Sequence, residues 1–475
     1  MNKLFGALSK IFLKSGGKDS LKLKIFEQKL DLNDISRKFK KPIFISLDEK
    51  RDSSKTLLNY ATIDLNKGAI KYIINEESNF DKLKEFSEEK KKSIAKKSPH
   101  SVISLSEDEM SLFSYHPSNY VCHLNLKNKI LDYVPSTSLQ INESQKARDF
   151  CCTVYKSPSN KKLFYFSLIL EDEKGSKLVI YESDLAFKKI RKVGEIAGEI
   201  EAPHTVIELG GVLFISKEQR ETIKIKSKNI KGKILDDLYF KLNGKEGPEN
   251  KKEVEAFLRE GDYEMINGEV ALMDKDTGAL KCYPASGAFT GHFEIDEVES
   301  AIYISNHNLL GSKKCGVALP KPAVLDKYLI KGNKNLEYCG KFECDFGYRF
   351  TSHKVYRKNG KPYIVTFGYP NRLIIIDGET MELVYWEDIG VQGVVEDLKF
   401  GKGIILTEDD LRISAMEVSE DGEALFFLTQ KYFYLYDLVN RKLIQKIPYP
   451  KWDENIKDSE VGGFAGFHIQ YLDYQ

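Results

Sequence analysis

From Pro99 onward, hydrophobic and polar positions alternate with a period of two in short runs, and the runs come in groups separated by Gly, Asn, Asp or Ser. Alternation of this kind predicts half-buried β-strands, and the turn residues between runs predict hairpins, so each group reads as a small antiparallel meander. One group is HSVISLS from His100, then MSLFSY, YVCHLNL and KILDYV. Others open at Cys152 (CTVY, LFYFSLIL, KLVIYES), His204 (HTVIEL, VLFIS), His292 (HFEID, AIYIS), His353 (HKVYR, YIVTF, RLIIID, ELVYW) and Met416 (MEVSEDG, LFFLT, YFYLYDL, KLIQKI). The second run of a group repeatedly ends in Ser or Thr.

The group openings at 100, 152 and 204, and those at 416 and 468, are 52 residues apart; the other intervals are 88, 61 and 63 and carry insertions. Four strands recurring at this period predict the blades of a β-propeller. The termini supply the closure. The chain ends GFHIQYLDYQ, a first strand from His468 with nothing after it, whereas PIFISL, LNYATIDL and AIKYII near the N-terminus have no first strand before them. Joined, the two halves make one blade and hide the edge each would expose. The expectation is an all-β chain: a tail over residues 1–20, then a single seven-bladed β-propeller over 21–475, closed by N- and C-terminal strands that share a blade. An insertion over about 217–268 in the third blade is expected to hold a short helix near Glu249 to Arg259, after Pro248 and before Gly261. A shorter insertion runs from Asn306 to about Asp326. Both join second to third strands, which places them over the face where the first strands begin, as lids or as packing elaborations. The Lys/Glu-rich stretch 81–97 reads as a solvated linker.

Composition narrows the class. With 27 Phe, 25 Tyr and 41% hydrophobic residues, the chain has material for a large core with a bias to strands. Basic and acidic residues number 72 and 71, a balance that points away from nucleic acid. Seven Cys stand at 122, 151, 152, 282, 315, 339 and 344 without a CxxC pair, which argues against a disulfide framework or a zinc site and for a reducing cytoplasm. The opening MNKLFGALSKIFLKS is interrupted by Lys10 and lacks a cleavage site, and no stretch is long enough to span a bilayer. Leu4, Phe5, Leu8, Ile11 and Phe12 fall at helical spacing among Lys3, Lys10 and Lys14, so any membrane contact is peripheral, through residues 1–14.

In a propeller the first strand of every blade borders the central channel, so the residues that open those strands become neighbours. They are His100, Cys152, His204, His292, His353, Met416 and His468: five of the chain's 8 His fall at seven equivalent places. A ring of N and S donors suits a transition metal, with His100, His204, His292, His353 and His468 as ligands and Cys152 and Met416 as further ligands or channel lining. Glu201, Glu294 and Glu417 lie within three residues of ring positions and could orient the imidazoles. The competing reading is a repeated structural His, as in WD-repeat blades; MEVSEDGEALFFLTQKYFYLYDLVNRK is similar to YVTN-type repeats. His116 and His307 fall in loops and His123 in a third strand, where surface or structural roles are expected. Walker, HExxH, GxSxG and GxGxxG motifs are absent from suitable contexts.

The GFH stretch at Gly466 to His468 resembles the terminal ligand stretch of the carotenoid-cleavage oxygenases, and APHTVIELGGVLFIS from Ala202 resembles a stretch of the selenium-binding protein and methanethiol oxidase family. The chain lacks the His-Asp-Phe stretch and most ligand spacings of the first family. The resemblance implies a metal-dependent oxidoreductase, a non-haem iron oxygenase using Fe(II), with a small apolar substrate that need not be a carotenoid. Copper is the alternative if the Cys and Met bind. The other readings are a non-catalytic propeller that docks a protein or peptide, and a metal-assisted lyase or hydrolase.

Overall fold

The alternating runs form strands, and consecutive strands pair into seven antiparallel blades. The structure, a computed structural model, describes residues 18–20, 23–46, 59–75, 99–113, 121–134, 138–142, 144–151, 153–197, 203–217, 223–225, 263–288, 290–306, 309–310, 319–320, 322–332, 334–369, 372–389, 413, 415–429, 432–448 and 469–473. From the inside outward, blade 1 runs Ser101–Ser104, Glu109–Phe113, Val121–Asn125 and Ile130–Tyr133. Blade 2 is Lys146–Phe150, Leu163–Asp172, Gly175–Asp184 and Ile190–Ala197; blade 3 is Pro203–Leu209, Val212–Lys217, Glu269–Asp274 and Leu280–Pro284. Blade 4 is Thr290–Asp296, Ala301–Asn306 and Pro322–Lys331, and it shares the long strand Asn335–Lys358 with blade 5, which continues through Lys361–Tyr369, Arg372–Asp377 and Leu383–Asp388. Blade 6 is Ala415–Val418, Ala424–Leu428, Tyr432–Asp437 and Lys442–Pro448. Among the described residues no helix is long and apolar enough to cross a membrane, and the one helix in the element order is the 3-10 turn Asp34–Lys38.

Blade 7 closes the ring as the termini suggest. Ile469–Tyr471 pairs antiparallel with Ile43–Ser46 in the register Ile43↔Tyr471, Phe44↔Gln470 and Ile45↔Ile469, followed outward by Asn59–Asp64 and Ala69–Asn75. Two outer strands have no counterpart in the sequence reading. Leu23–Lys29 adds to Ala69–Asn75, and Lys18–Ser20 adds to Ile130–Tyr133 of blade 1, so one N-terminal stretch borders two neighbouring blades. The inner strand of blade 2 also begins earlier than Cys152. It has two pieces, Lys146–Phe150 paired with its own blade and Thr153–Val154 paired in parallel with Thr205 and Val206 of blade 3. The helix expected near 249–259, the linker 81–97 and the tail 1–17 lie outside the described residues, while the 217–268 insertion shows a two-stranded piece, Ile223–Ile225 with Tyr263–Met265.

The repeated Ser or Thr closing each second strand has a mechanical reason. The inner strands of blades 3, 4 and 5 bulge near their starts, with register shifts between Pro203 and Val206, Thr290 and Phe293, and Phe350 and His353. A bulge leaves backbone groups without ladder partners. Ser216 Oγ accepts from Thr205 N (3.0 Å), Ser305 Oγ accepts from His292 N (3.1 Å), and Thr366 Oγ1 donates to Ser352 O (2.6 Å). Turns into the fourth strand are equally regular: Asp274, Asp377 and Asp437 each accept backbone N–H groups two and three residues on.

Apolar clusters fill the spaces between blades, for example Val179, Phe166 and Ile103 between blades 1 and 2, and Met416, Phe427 and Phe367 between blades 5 and 6. The closing strand is also tied across blades. Gln470 Oε1 accepts from Ser101 Oγ (3.0 Å) and Val102 N (3.3 Å) of blade 1, its Nε2 donates to Val154 O (2.9 Å), and Tyr471 Oη donates to Val418 O of blade 6 (2.6 Å). Removing residues 466–475 should therefore collapse soluble yield, because blade 7 loses its inner strand and leaves an open edge beside an exposed core. A truncated protein with unchanged yield and melting temperature would contradict closure by this strand.

Candidate functional site

Inner strands start at one end of the propeller and finish at the other. His100 immediately precedes the inner strand of blade 1, His204 and His292 lie early in those of blades 3 and 4, and His353 lies in the long strand where blade 5 begins. Four ring positions thus stand at the starts of inner strands by their backbone. Of these, His204 has its side chain outside the described residues, as have Cys152, His468, Glu201, His116 and His307 altogether.

His353 is buried, and its Nε2 lies 3.1 Å from Tyr303 O on the second strand of blade 4. A carbonyl only accepts, so Nε2 carries the hydrogen and Nδ1 presents a lone pair. Nδ1 is buried with no hydrogen-bond partner. Burial holds the ring neutral, with its pKa lowered to about 4. His100 is buried, its N donating to Phe113 O (2.7 Å), and His292 is half-buried. Met416 packs in the apolar cluster between blades 5 and 6. His123 is half-buried on a third strand, and burial is the main cause lowering its pKa. Among the described residues no three His, Cys, Asp or Glu side chains converge as a metal site would require.

The residues that do converge sit one step further along the inner strands. Lys354 of blade 5 places Nζ 3.2 Å from Glu294 Oε1 of blade 4 and 3.3 Å from Glu417 Oε2 of blade 6. All three side chains are largely withdrawn from solvent, at 14%, 21% and 8% exposure. Burial pushes both carboxyls up, Glu417 to about 7, with Lys354 opposing the shift. Desolvation opposes the charge on Lys354, yet the two carboxylates hold its pKa well above the ordinary value. Glu294 and Glu417 were candidates for orienting ring imidazoles; their described ion-pair partner is this ammonium.

The triad lines a cavity of about 490 Å³. It is lined by Val102, Ile207 and the half-buried Tyr155 and also by charged residues such as Lys156, Arg357 and Glu420, and every lining residue follows its blade's ring position toward the strand ends. The cavity therefore lies toward the ends of the inner strands, away from their starts. Ion pairs at that end join Arg357 to Asp296 (2.5 Å) and Glu299 (3.3 Å), Lys161 to Glu297 (3.6 Å) and Lys41 to Asp473 (2.9 Å), while Lys156, which also lines the cavity, donates to the Asp473 backbone carbonyl. Sequence reading passed over Lys354 because Lys in HKVYR looks like an outward-facing strand position. The available signal was Glu, Lys and Glu just after the ring residues of three successive blades.

No family model matches the chain, and no curated protein matches it. Among solved structures it is similar to Synechocystis apocarotenoid oxygenase carrying a glutamate-to-glutamine substitution, at 9% identity over 94% of this chain and 97% of that one, with a TM-score of 0.49. A glutamate-to-aspartate form of the same enzyme is similar at 10% identity, with the same coverage and a TM-score of 0.48.

Two outcomes follow from the triad. Lys354→Met should destabilise the fold by about 3–5 kcal/mol, since it leaves two buried carboxylates without a cation; urea unfolding checks this. Glu417→Gln tests the pH dependence. Below the ordinary value of 4.5 folded and unfolded chains both hold the Glu417 proton, so the group is neutral to stability. Between there and about 7 the unfolded chain releases the proton and the folded chain keeps it, so stability falls as pH rises, and above about 7 the loss is constant. Relative to wild type, Glu417→Gln should gain up to about 3 kcal/mol between pH 4.5 and pH 8. A urea-midpoint difference that does not change with pH would overturn the assignment.

Proposed function

We propose that the chain is a metal-dependent oxidoreductase of the non-haem iron type, with the metal held by histidines at the starts of the inner strands. The observation that carries this reading is the placement of His100, His204, His292 and His353 at the same end of four inner strands, with His353 kept neutral and its Nδ1 lone pair without a partner. The three of these with described side chains do not make a centre by themselves, so the reading requires His204 and His468 to complete it. These imidazoles would hold Fe(II), which would supply the activation of dioxygen toward a bound substrate. Packing of Met416 among apolar side chains favours iron over copper. The chain's own contribution is to hold the imidazoles unprotonated by burial and to fix the His353 ring against Tyr303 O. A small apolar substrate entering from the histidine face, under the insertions, and a cytoplasmic setting complete the proposal.

The second reading, a binding propeller with structural histidines, is favoured by the lack of a converged ligand set among the described residues. Elemental analysis of untagged protein separates the two. The expected result is stoichiometric iron that falls at least fivefold in His204→Ala and His468→Ala and hardly changes in His116→Ala or His307→Ala. Metal-free protein that resists loading, or ring variants that lose only stability, would establish the binding propeller instead.

A further inference from the structure

Blade 7 is fastened from outside as well as from within. The stretch 18–41 runs around the rim of three blades. Lys18–Ser20 pairs with Ile130–Tyr133 of blade 1, and Leu23–Lys29 pairs over its whole length with Ala69–Asn75 of blade 7. Only residues 21 and 22 stand between these strands, so the outer edges of the two blades are drawn together. Leu30 N then donates to Gly68 O (2.8 Å); Gly68 has φ of +62°, and a Cβ there would come within 2.8 Å of Leu30 O. Beyond that point the chain crosses to blade 6. Asp31 O accepts from Gln445 Nε2, and Asn33 N donates to Gln445 Oε1, both at 2.8 Å. Lys38 Nζ meets Asp421 Oδ2 (3.2 Å) and Glu423, and Lys40 N donates to the Glu420 carboxylate.

These attachments are shallow. Leu23–Lys29 buries Leu23 and stacks Phe26 on Tyr72 (5.0 Å), but most of its positions face solvent. On blade 6 the side chains of Lys38, Asp421 and Glu423 are 34%, 44% and 39% exposed, so salt weakens their attraction. A segment with little burial and exposed hydrogen bonds opens at lower cost than the core beneath it. The stretch also ends directly on the closing strand. Lys41 Nζ holds Asp473 Oδ1 (2.9 Å), and the next residue, Pro42, accepts from Leu472 N (2.8 Å). Gln470, Tyr471 and Asp473 of that closing segment line the axial cavity.

We propose that residues 18–41 are a salt-sensitive rim strap. Release of its blade 6 attachment lets blade 7 open locally, together with the cavity wall made by 469–473, while the remaining blades stay closed. This goes beyond the oxidoreductase reading and does not depend on it.

The test is hydrogen exchange of the full-length protein, read segment by segment by mass spectrometry, at about 50 mM and about 500 mM sodium chloride. Raising the salt should speed exchange about fivefold in 23–46, 59–75 and 469–472, the scale set by exposed ion pairs. Exchange in 163–184 of blade 2 and 361–377 of blade 5 should stay as it was. Lys38→Met should show the faster exchange already at low salt and lose most of the salt response, and Lys38→Arg should restore both. If Lys38→Met folds poorly, the salt series on wild-type protein decides alone. Equal acceleration in every blade, acceleration confined to 23–29, or unchanged exchange in 469–472 would each overturn the proposal. Exchange rates at the rim and iron content are separate measurements, so failure of the strap leaves the oxidoreductase reading standing, and the reverse also holds.

Discussion

Everything in this molecule depends on one short strand, Ile469–Tyr471, finding its place. A closed ring of sheets has no free edge only when its last blade is complete, and blade 7 draws its inner strand from one end of the chain and its other strands from the opposite end. The pairing with Ile43–Ser46 is three residues long, too little to be stable alone. Side chains extend its reach. Gln470 joins blade 7 to blades 1 and 2, Tyr471 joins it to blade 6, and Lys41 holds Asp473 at 2.9 Å. The 3-10 turn before Ile43 works from the other side, through Asn33 and Asp31 on Gln445 and Lys38 on Asp421 and Glu423 of blade 6. Contacts this far apart in sequence carry a large loop-closure cost, which the side-chain ties of blade 7 help to offset.

Burying the Lys354–Glu294–Glu417 triad at the axis runs against stability. Replacing such groups by apolar residues is commonly neutral or stabilising, and an ion pair in a core is weak support for a fold. The core between blades is already filled without it, since the apolar clusters lie to either side of each sheet. The triad faces the cavity, with Lys354 between the two carboxyls.

How much of this was legible follows from where each signal lives. Blade count, strand order and closure were readable because each blade repeats a local pattern, such as MEVSEDG before LFFLT, and because the two termini were each half a unit. In that SEDG turn, Gly422 has φ of +70°, and a Cβ there would come within 2.9 Å of Arg357 O, so the turn also presses on blade 5. The outer strands Lys18–Ser20 and Leu23–Lys29 were not legible, because LKIFEQK faces solvent on most of its positions and gains its pairing from a blade edge, not from burial of its own. Turns into the fourth strand hide for a related reason. Their left-handed residue is Gly at 68 and 278 but Lys129, Met381 and Arg441 elsewhere, so no single residue type marks them. The ring histidines stood out by type and spacing. Lys354 did not, since its partners lie some sixty residues to either side and only the ring brings three inner strands together.

Alternation along the strand also links the two ends of the axis. Successive side chains leave a strand on opposite sides. Lys354 reaches Glu294 and Glu417, and its predecessor His353 faces blade 4, where Nε2 meets Tyr303 O. The same offset recurs in blade 6, where Glu417 joins the triad while Met416 packs between blades. At blade 4 the spacing is two, His292 to Glu294, with His292 inside the bulge between Thr290 and Phe293, so simple alternation does not set its side there. The orientation of His353 is thus coupled to the triad through one strand. That strand is held in its sheet by pairing with Lys361–Tyr369, His353 opposite Thr366 and Lys354 opposite Val365, so the backbone fixes both side chains at once.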